Sequence, residues 1–96
     1  MPYSMAVLEV EDYARWKANY NSEGSRAARK AAGETSYQIF RVADDPKTFV
    51  LLNEWDDEQK VRQFLSSPKL REMQQESGVL GTPQLYVFGE REEGTP

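Results

Sequence analysis

The sequence predicts an α+β fold of the βαββαβ, or ferredoxin-like, pattern, a four-stranded antiparallel sheet with two helices on one face. Three observations predict it. Short runs rich in Val, Leu, Ile, Tyr and Phe recur four times along the chain. Two stretches with apolar residues at helical spacing separate the first run from the second and the third from the fourth. The second and third runs are joined only by Asp44-Asp45-Pro46-Lys47, a turn composition that makes them a hairpin.

The elements follow in order. Ser4 to Val10 is the first strand. Asp12 stands at an N-cap position ahead of Tyr13, Trp16 and Tyr20, whose spacing marks a helix packing on the core. The helix kinks near Asn21 to Gly24, continues through Arg26 to Ala32 and stops at Gly33. Arg26, Arg29 and Lys30 read as a solvated basic face of it, with anion binding as the alternative. Thr35 to Val42 and Thr48 to Trp55 are the second and third strands. Asp56 or Asp57 caps a second helix carrying Val61, Phe64 and Leu65. Ser66-Ser67-Pro68 interrupts that helix, with Ser67 as a new cap and Pro68 at the first helical position. Leu70 and Met73 continue its apolar side, Gly78 ends it, and Pro83 to Phe88 is the fourth strand. Residues 1–89 are expected to form a single domain, and 90–96, charged and without apolar residues, a flexible tail.

Ninety-six residues hold one core, and a chain of this size buries only about 60–65% of its unfolded surface. The net charge is −4, with acidic and basic residues interspersed. Nucleic acid, which requires a basic face, is not an expected partner, nor is an anionic membrane. No signal peptide and no membrane span are indicated, so a soluble cytoplasmic protein is expected. The chain has no Cys and no His. Disulfides, thiolate sites and imidazole bases or ligands are thereby excluded, and neither a metal nor a cofactor is expected. The carboxylate pairs Asp44-Asp45 and Asp56-Asp57 are explained by turn and cap chemistry.

Four strands present a face roughly 19 Å wide, and two helices of about 10 Å cover one such face. The other face should then alternate with polar residues, yet both sides of the strands are apolar. A face of this kind predicts a homodimer with the sheets stacked on one another. If the turn pairs Val42 with Phe49, then Phe40 faces Leu51 and Gln38 faces Asn53, with Trp55 on the same side. Tyr37, Ile39, Arg41, Val50, Leu52 and Glu54 take the other side, where Arg41 and Glu54 are placed to pair. Gln38, Phe40, Asn53 and Trp55, together with Tyr86 of the fourth strand, are the candidate ligand-binding residues. They offer an apolar surface with a few polar groups, the usual composition of a small-molecule site. The plainer alternatives are that Gln38 and Asn53 bond to each other, and that Trp55 and Tyr86 only pack.

The segments Val10-Glu11-Asp12-Tyr13-Ala14-Arg15-Trp16-Lys17, Phe40-Arg41-Val42-Ala43-Asp44-Asp45-Pro46, Asn53-Glu54-Trp55-Asp56 and Phe64-Leu65-Ser66-Ser67-Pro68-Lys69-Leu70-Arg71-Glu72 resemble the dimeric α/β-barrel superfamily. Within it they resemble small bacterial proteins of the antibiotic biosynthesis monooxygenase-like or cyclase-like type. The resemblance spans about Met5 to Phe88 and implies the fold and the dimer. It leaves the activity open, because the superfamily hosts cofactor-free monooxygenases, haem-degrading enzymes, chlorite dismutases, muconolactone isomerases, polyketide cyclases and stress-response proteins. Many monooxygenase-like members carry a His shortly before the Ser-Pro break, where this chain has Phe64. Chemistry through an axial or assisting His is therefore not implied. Three readings remain: a homodimer that binds a small hydrophobic or aromatic molecule, a cofactor-independent monooxygenase or polyketide cyclase for an aromatic substrate, or a structural or stress-associated dimer without ligand.

Overall fold

The computed structural model describes residues 2–96. The elements are β1 (Tyr3–Val10), α1 (Tyr13–Tyr20), α2 (Glu23–Ala31), β2 (Glu34–Arg41), β3 (Thr48–Trp55), α3 (Glu58–Leu65), α4 (Pro68–Glu76) and β4 (Val79–Phe88). The strands form one antiparallel sheet in the order β2-β3-β1-β4. This is the expected α+β topology, with each of the two expected helices divided into a pair.

Capping explains the divisions. The Asp12 carboxylate accepts hydrogen bonds from the backbone N–H groups of Ala14 and Arg15 at 3.0 and 3.3 Å. Ser22 accepts from Ser25 at 3.2 Å and starts α2 where the kink was expected. Asp57, rather than Asp56, caps α3 through Gln59 and Lys60. Ser67 caps α4, with Pro68 opening the helix. Each side-chain oxygen satisfies a donor that has no partner within the helix. Gly33 ends the first pair at φ +99°, and a Cβ there would run into the Asp56 side chain. The fourth strand begins at Val79 rather than Pro83. Its first residues pair with Glu9 and Val10, after which the register shifts opposite Leu8. Pro83 sits in that irregular stretch of an edge strand, where its missing N–H is tolerated.

Ala6, Leu8, Val10, Trp16, Phe49 and Leu51 form the core between sheet and helices. Trp16 lies 4.4 Å from the Phe49 ring and 4.7 Å from Tyr20 between centroids, so the aromatic stripe of α1 does pack inward.

The β2–β3 register differs by one residue from the expected one. Arg41 pairs with Phe49, Ile39 with Leu51 and Tyr37 with Asn53. The cause lies in the turn, where Asp45 accepts from the Thr48 hydroxyl at 2.7 Å and the Lys47 N–H at 3.0 Å, drawing Thr48 into line with Val42. Because side chains alternate, one residue of slip exchanges the faces of an entire strand. Tyr37, Ile39 and Arg41 therefore face the helices. Gln38, Phe40 and Val42 turn to the open side, with Val50, Leu52, Glu54, Met5, Val7, Tyr86 and Phe88. Arg41 and Glu54 are consequently on opposite faces and do not pair. The Arg41 guanidinium lies 3.8 Å from the Tyr13 ring centre, while Glu54 accepts from Ser36.

The open face has no helix over it, and Phe40, Val42, Tyr86 and Phe88 are exposed on it. Residues 90–96 carry no helix or strand. Among the described residues no helix is long and apolar enough to cross a membrane.

Candidate functional site

A cavity of about 270 Å³ opens between the helix-facing side of the sheet and the two helix pairs. Leu8, Leu51, Trp16, Phe64, Leu70 and Met73 supply much of its apolar wall. Ser4, Tyr20, Arg29 and Asn53 are polar groups placed within it. An engineered apolar cavity of about 150 Å³ already holds benzene, so this space suits a flat molecule of more than one ring.

A buried polar network of four side chains, three of them lining the cavity and Glu34 standing behind them, is centred on Asn53. Asn53 on β3 is 5% exposed, and its carboxamide nitrogen donates to the Tyr20 hydroxyl at 2.9 Å and to the Glu34 carboxylate. The Tyr20 hydroxyl in turn donates to the same Glu34 oxygen, Oε1, at 3.3 Å. Glu34 Oε2 accepts from Arg29 Nε at 3.0 Å. Arg29 also donates to the Tyr20 carbonyl and the Ser25 hydroxyl, both at 2.6 Å, and its guanidinium lies 3.6 Å from the Tyr20 ring centre. Arg29 is therefore not part of a solvated basic face. It is a buried cation paired with a carboxylate and hydrogen-bonded through Nε and Nη1, the condition under which a charge is tolerated inside a protein.

Glu34 reaches this cluster through a bulge. Between Glu34 and Ser36 the β2–β3 register shifts, so Glu34 pairs with Trp55 while Ser36 pairs with Glu54. Without the extra residue, Glu34 would share the open face with Ser36 and Gln38. Bulges commonly re-aim a side chain in this way.

Trp55 is fully buried below the cavity. Its indole N–H donates to the Ser4 hydroxyl at 2.9 Å, and its ring lies 5.5 Å from Phe64. Ser4 thus explains the one polar residue on an otherwise apolar strand face.

Burial, then the negative charge of Glu34, pushes the Tyr20 phenol far above its ordinary range. It stays protonated at neutral pH and serves as a fixed hydrogen-bonding group. Above pH ~10 the unfolded chain releases this proton and the folded chain retains it, so stability should fall as pH rises, approaching about 1.4 kcal/mol per pH unit. Urea midpoints taken through that range should fall faster for the wild type than for Tyr20→Phe. Equal slopes would contradict the assignment.

The structure divides the candidate ligand-binding residues between the two faces. Asn53 and Trp55 line the cavity, whereas Gln38, Phe40 and Tyr86 project from the open face. The expected Gln38–Asn53 grouping rested on the slipped register, and Asn53 bonds to Tyr20 and Glu34 instead. Tyr86 stacks on Phe88 at 6.1 Å, and its strand neighbour Leu85 is the one that reaches the cavity. Ser4, Tyr20, Arg29 and Glu34 were not among the sequence candidates. Tyr20 stood in the aromatic stripe of the first helix and Arg29 in its basic run, while a lone Ser in an apolar strand and a Glu just before the second strand were the only local signals of the other two. Among the described residues no three His, Cys, Asp or Glu side chains cluster as metal ligands.

The fold is shared with solved oxygenases. SnoaB, a cofactor-independent oxygenase from Streptomyces nogalater, superposes with a TM-score of 0.70 at 18% identity, covering 96% of this chain and 94% of that one. A monooxygenase of Streptomyces coelicolor, solved with the ligand Nanaomycin D, gives a TM-score of 0.68 at 18% identity, covering 99% and 91%. No curated protein matches the chain. The family described as antibiotic biosynthesis monooxygenase matches residues 11–76, more than half of the sequence, and the chain therefore belongs to that family.

Proposed function

We propose that the chain is a cofactor-independent monooxygenase whose substrate is a flat, phenolic, polyketide-like aromatic held in the cavity between sheet and helices. One observation carries the reading: a buried carboxamide, Asn53, is clamped by its nitrogen at the wall of a cavity whose surface is more apolar than polar. An apolar space with few, well-held polar groups binds and orients a ring system. The family and the oxygenases that share the fold favour oxygen chemistry over binding alone.

The residues at hand position rather than exchange protons. Tyr20 is held neutral, and there is no imidazole or thiol in the chain. The substrate must then be acidic enough to supply its own carbanion through its enol form. For an anthrone, a ring CH2 becomes a carbonyl: one oxygen atom of O2 enters at that carbon and the other leaves as water with both hydrogens. Molecular oxygen is the oxidant. Asn53 orients the enol or phenol, while Trp55 and Phe64 close the apolar wall. Oxygen uptake with an anthrone should be readily measured for the wild type and fall by about 10²-fold or more for Asn53→Ala, on the scale of losing one transition-state hydrogen-bonding group. An unchanged rate in that variant would remove the assignment.

The same proposal includes a homodimer formed through the open face, where Gln38, Phe40 and Tyr86 serve association instead of the cavity. The support is the apolar, helix-free side of the sheet, larger than the isolated apolar residues normal on a monomer. Sedimentation equilibrium should give about twice the 11.0 kDa of one chain. Leu52→Glu, central on that face, should return the single-chain mass. A wild type that sediments as one chain would exclude the dimer.

A further inference from the structure

We propose that Glu34 and Arg29 are positioning residues that set the polarity of the cavity wall at Asn53, selecting ligands that offer an O–H or N–H donor there, a phenol or enol rather than a ketone or quinone. The inference rests on the cavity being the ligand site, as proposed above. Asn53 is 95% buried by its 5% exposure, and both of its hydrogen bonds are donated by the nitrogen. Its oxygen accepts none among the described residues, yet no buried side-chain oxygen is sealed off without a partner. The free side of the carboxamide is therefore the oxygen, and the space it meets is the cavity that Asn53 lines.

The choice of end is imposed from behind. A carboxylate only accepts, so the Glu34 Oε1 that faces Asn53 requires the amide nitrogen to point inward. The Tyr20 hydroxyl spends its single proton on that same oxygen and must receive one from Asn53. Arg29 holds the other carboxylate oxygen through Nε and fixes the rotation of the carboxyl group. Its remaining partners, the Tyr20 carbonyl and Ser25, fix the guanidinium in turn. The chain Arg29–Glu34–Asn53 thus spans the bulge in β2 and turns the Asn53 oxygen toward the cavity.

Glu34→Gln inverts this logic with little change in shape. Arg29 can only donate, so it takes the Gln oxygen, and the Gln nitrogen then faces Asn53. The carboxamide must rotate to accept from it, Tyr20 donates to the rotated oxygen, and the Asn53 nitrogen now meets the ligand. Every buried group keeps a hydrogen-bond partner while the Arg29 charge loses its counter-ion, so the variant should fold with reduced stability, checked by its circular dichroism and urea midpoint before the titrations.

The test uses naphthol and its methyl ether, which share a ring system and differ in the donor, titrated into the purified chain. The wild type should prefer naphthol by about tenfold or more, the scale of an acceptor left unpaired in a buried site. Glu34→Gln should lose or reverse that preference. A folded Glu34→Gln protein that keeps the wild-type preference overturns the proposal. Hydrogen exchange of the Asn53 side-chain N–H2 in the wild type, read by ¹⁵N NMR, is an independent check. Slow exchange is expected because both N–H bonds point at Glu34 and Tyr20; rapid exchange overturns the proposal. Met73→Trp, which narrows the cavity, separates the two layers. If neither probe binds, or binding survives Met73→Trp unchanged, the cavity reading falls and this inference with it. If Met73→Trp blocks binding and Glu34→Gln keeps the preference, only the polarity assignment falls.

Discussion

Arg29→Met is expected to destabilise the fold by about 3–5 kcal/mol, read as a large drop in the urea midpoint. The side chains of Arg29 and Glu34 are 6% and 9% exposed, so the change strands a carboxylate in the interior instead of freeing it to water. The same substitution removes donors from the Tyr20 carbonyl and the Ser25 hydroxyl and strips the cation from the Tyr20 ring. Exposed pairs such as Arg62–Glu58, with both side chains more than half exposed, are worth only about 0–1 kcal/mol and set the contrast. The double variant Arg29→Met/Glu34→Gln should be more stable than the two single effects added together, because it removes the unpaired charge. A coupling of about 0.5–3 kcal/mol is the expected range for side chains in one network. Additive effects would show that the pair is not the source of the loss.

Phe49→Ala should cost a comparable amount, about 3–5 kcal/mol, through the cavity it leaves. Phe49 is fully buried, edge-on to Tyr13 at 5.3 Å and tilted against Trp16 at 4.4 Å. Trp16 also lines the cavity, so the substitution loosens the wall of the candidate site as well as the core. The midpoint should fall while the urea dependence stays the same, since the surface exposed on unfolding is nearly unchanged. Phe40→Ala provides the counterpart. Phe40 is 55% exposed on the open face and should contribute little to the folding of a single chain, so both substitutions are compared in the Leu52→Glu background, where association is removed. A Phe49→Ala protein as stable as Phe40→Ala would refute this account of where the core lies.

The two substitutions mark how far the residues can be read locally. Asp12, Ser67, Gly33 and Gly78 announce helix ends because a cap is made within a few residues of its helix. The order of strands and helices follows from periodicity in the same way. The kink near Asn21 to Gly24 was legible although its cap, Ser22, was not singled out. The β2–β3 register was not legible, because it depends on how Asp45 gathers Lys47 and Thr48 inside the turn. That single residue of slip moved Gln38 and Phe40 away from Asn53.

The site's polar wall was hidden for a related reason. Arg29 sits in a run of Arg and Lys that composition alone assigns to water, and its burial follows from α2 packing it against Tyr20 and Glu34. Glu34 becomes its partner because a bulge turns the strand start inward. The amino-acid order by itself determined the βαββαβ topology, the absence of imidazole and thiol chemistry, and the apolar character of both sheet faces. Only the tertiary structure decided which residues share a face and which groups Asn53 is bonded to. Strand register and buried hydrogen-bond direction are set by partners distant in the chain, and local preferences carry no record of them.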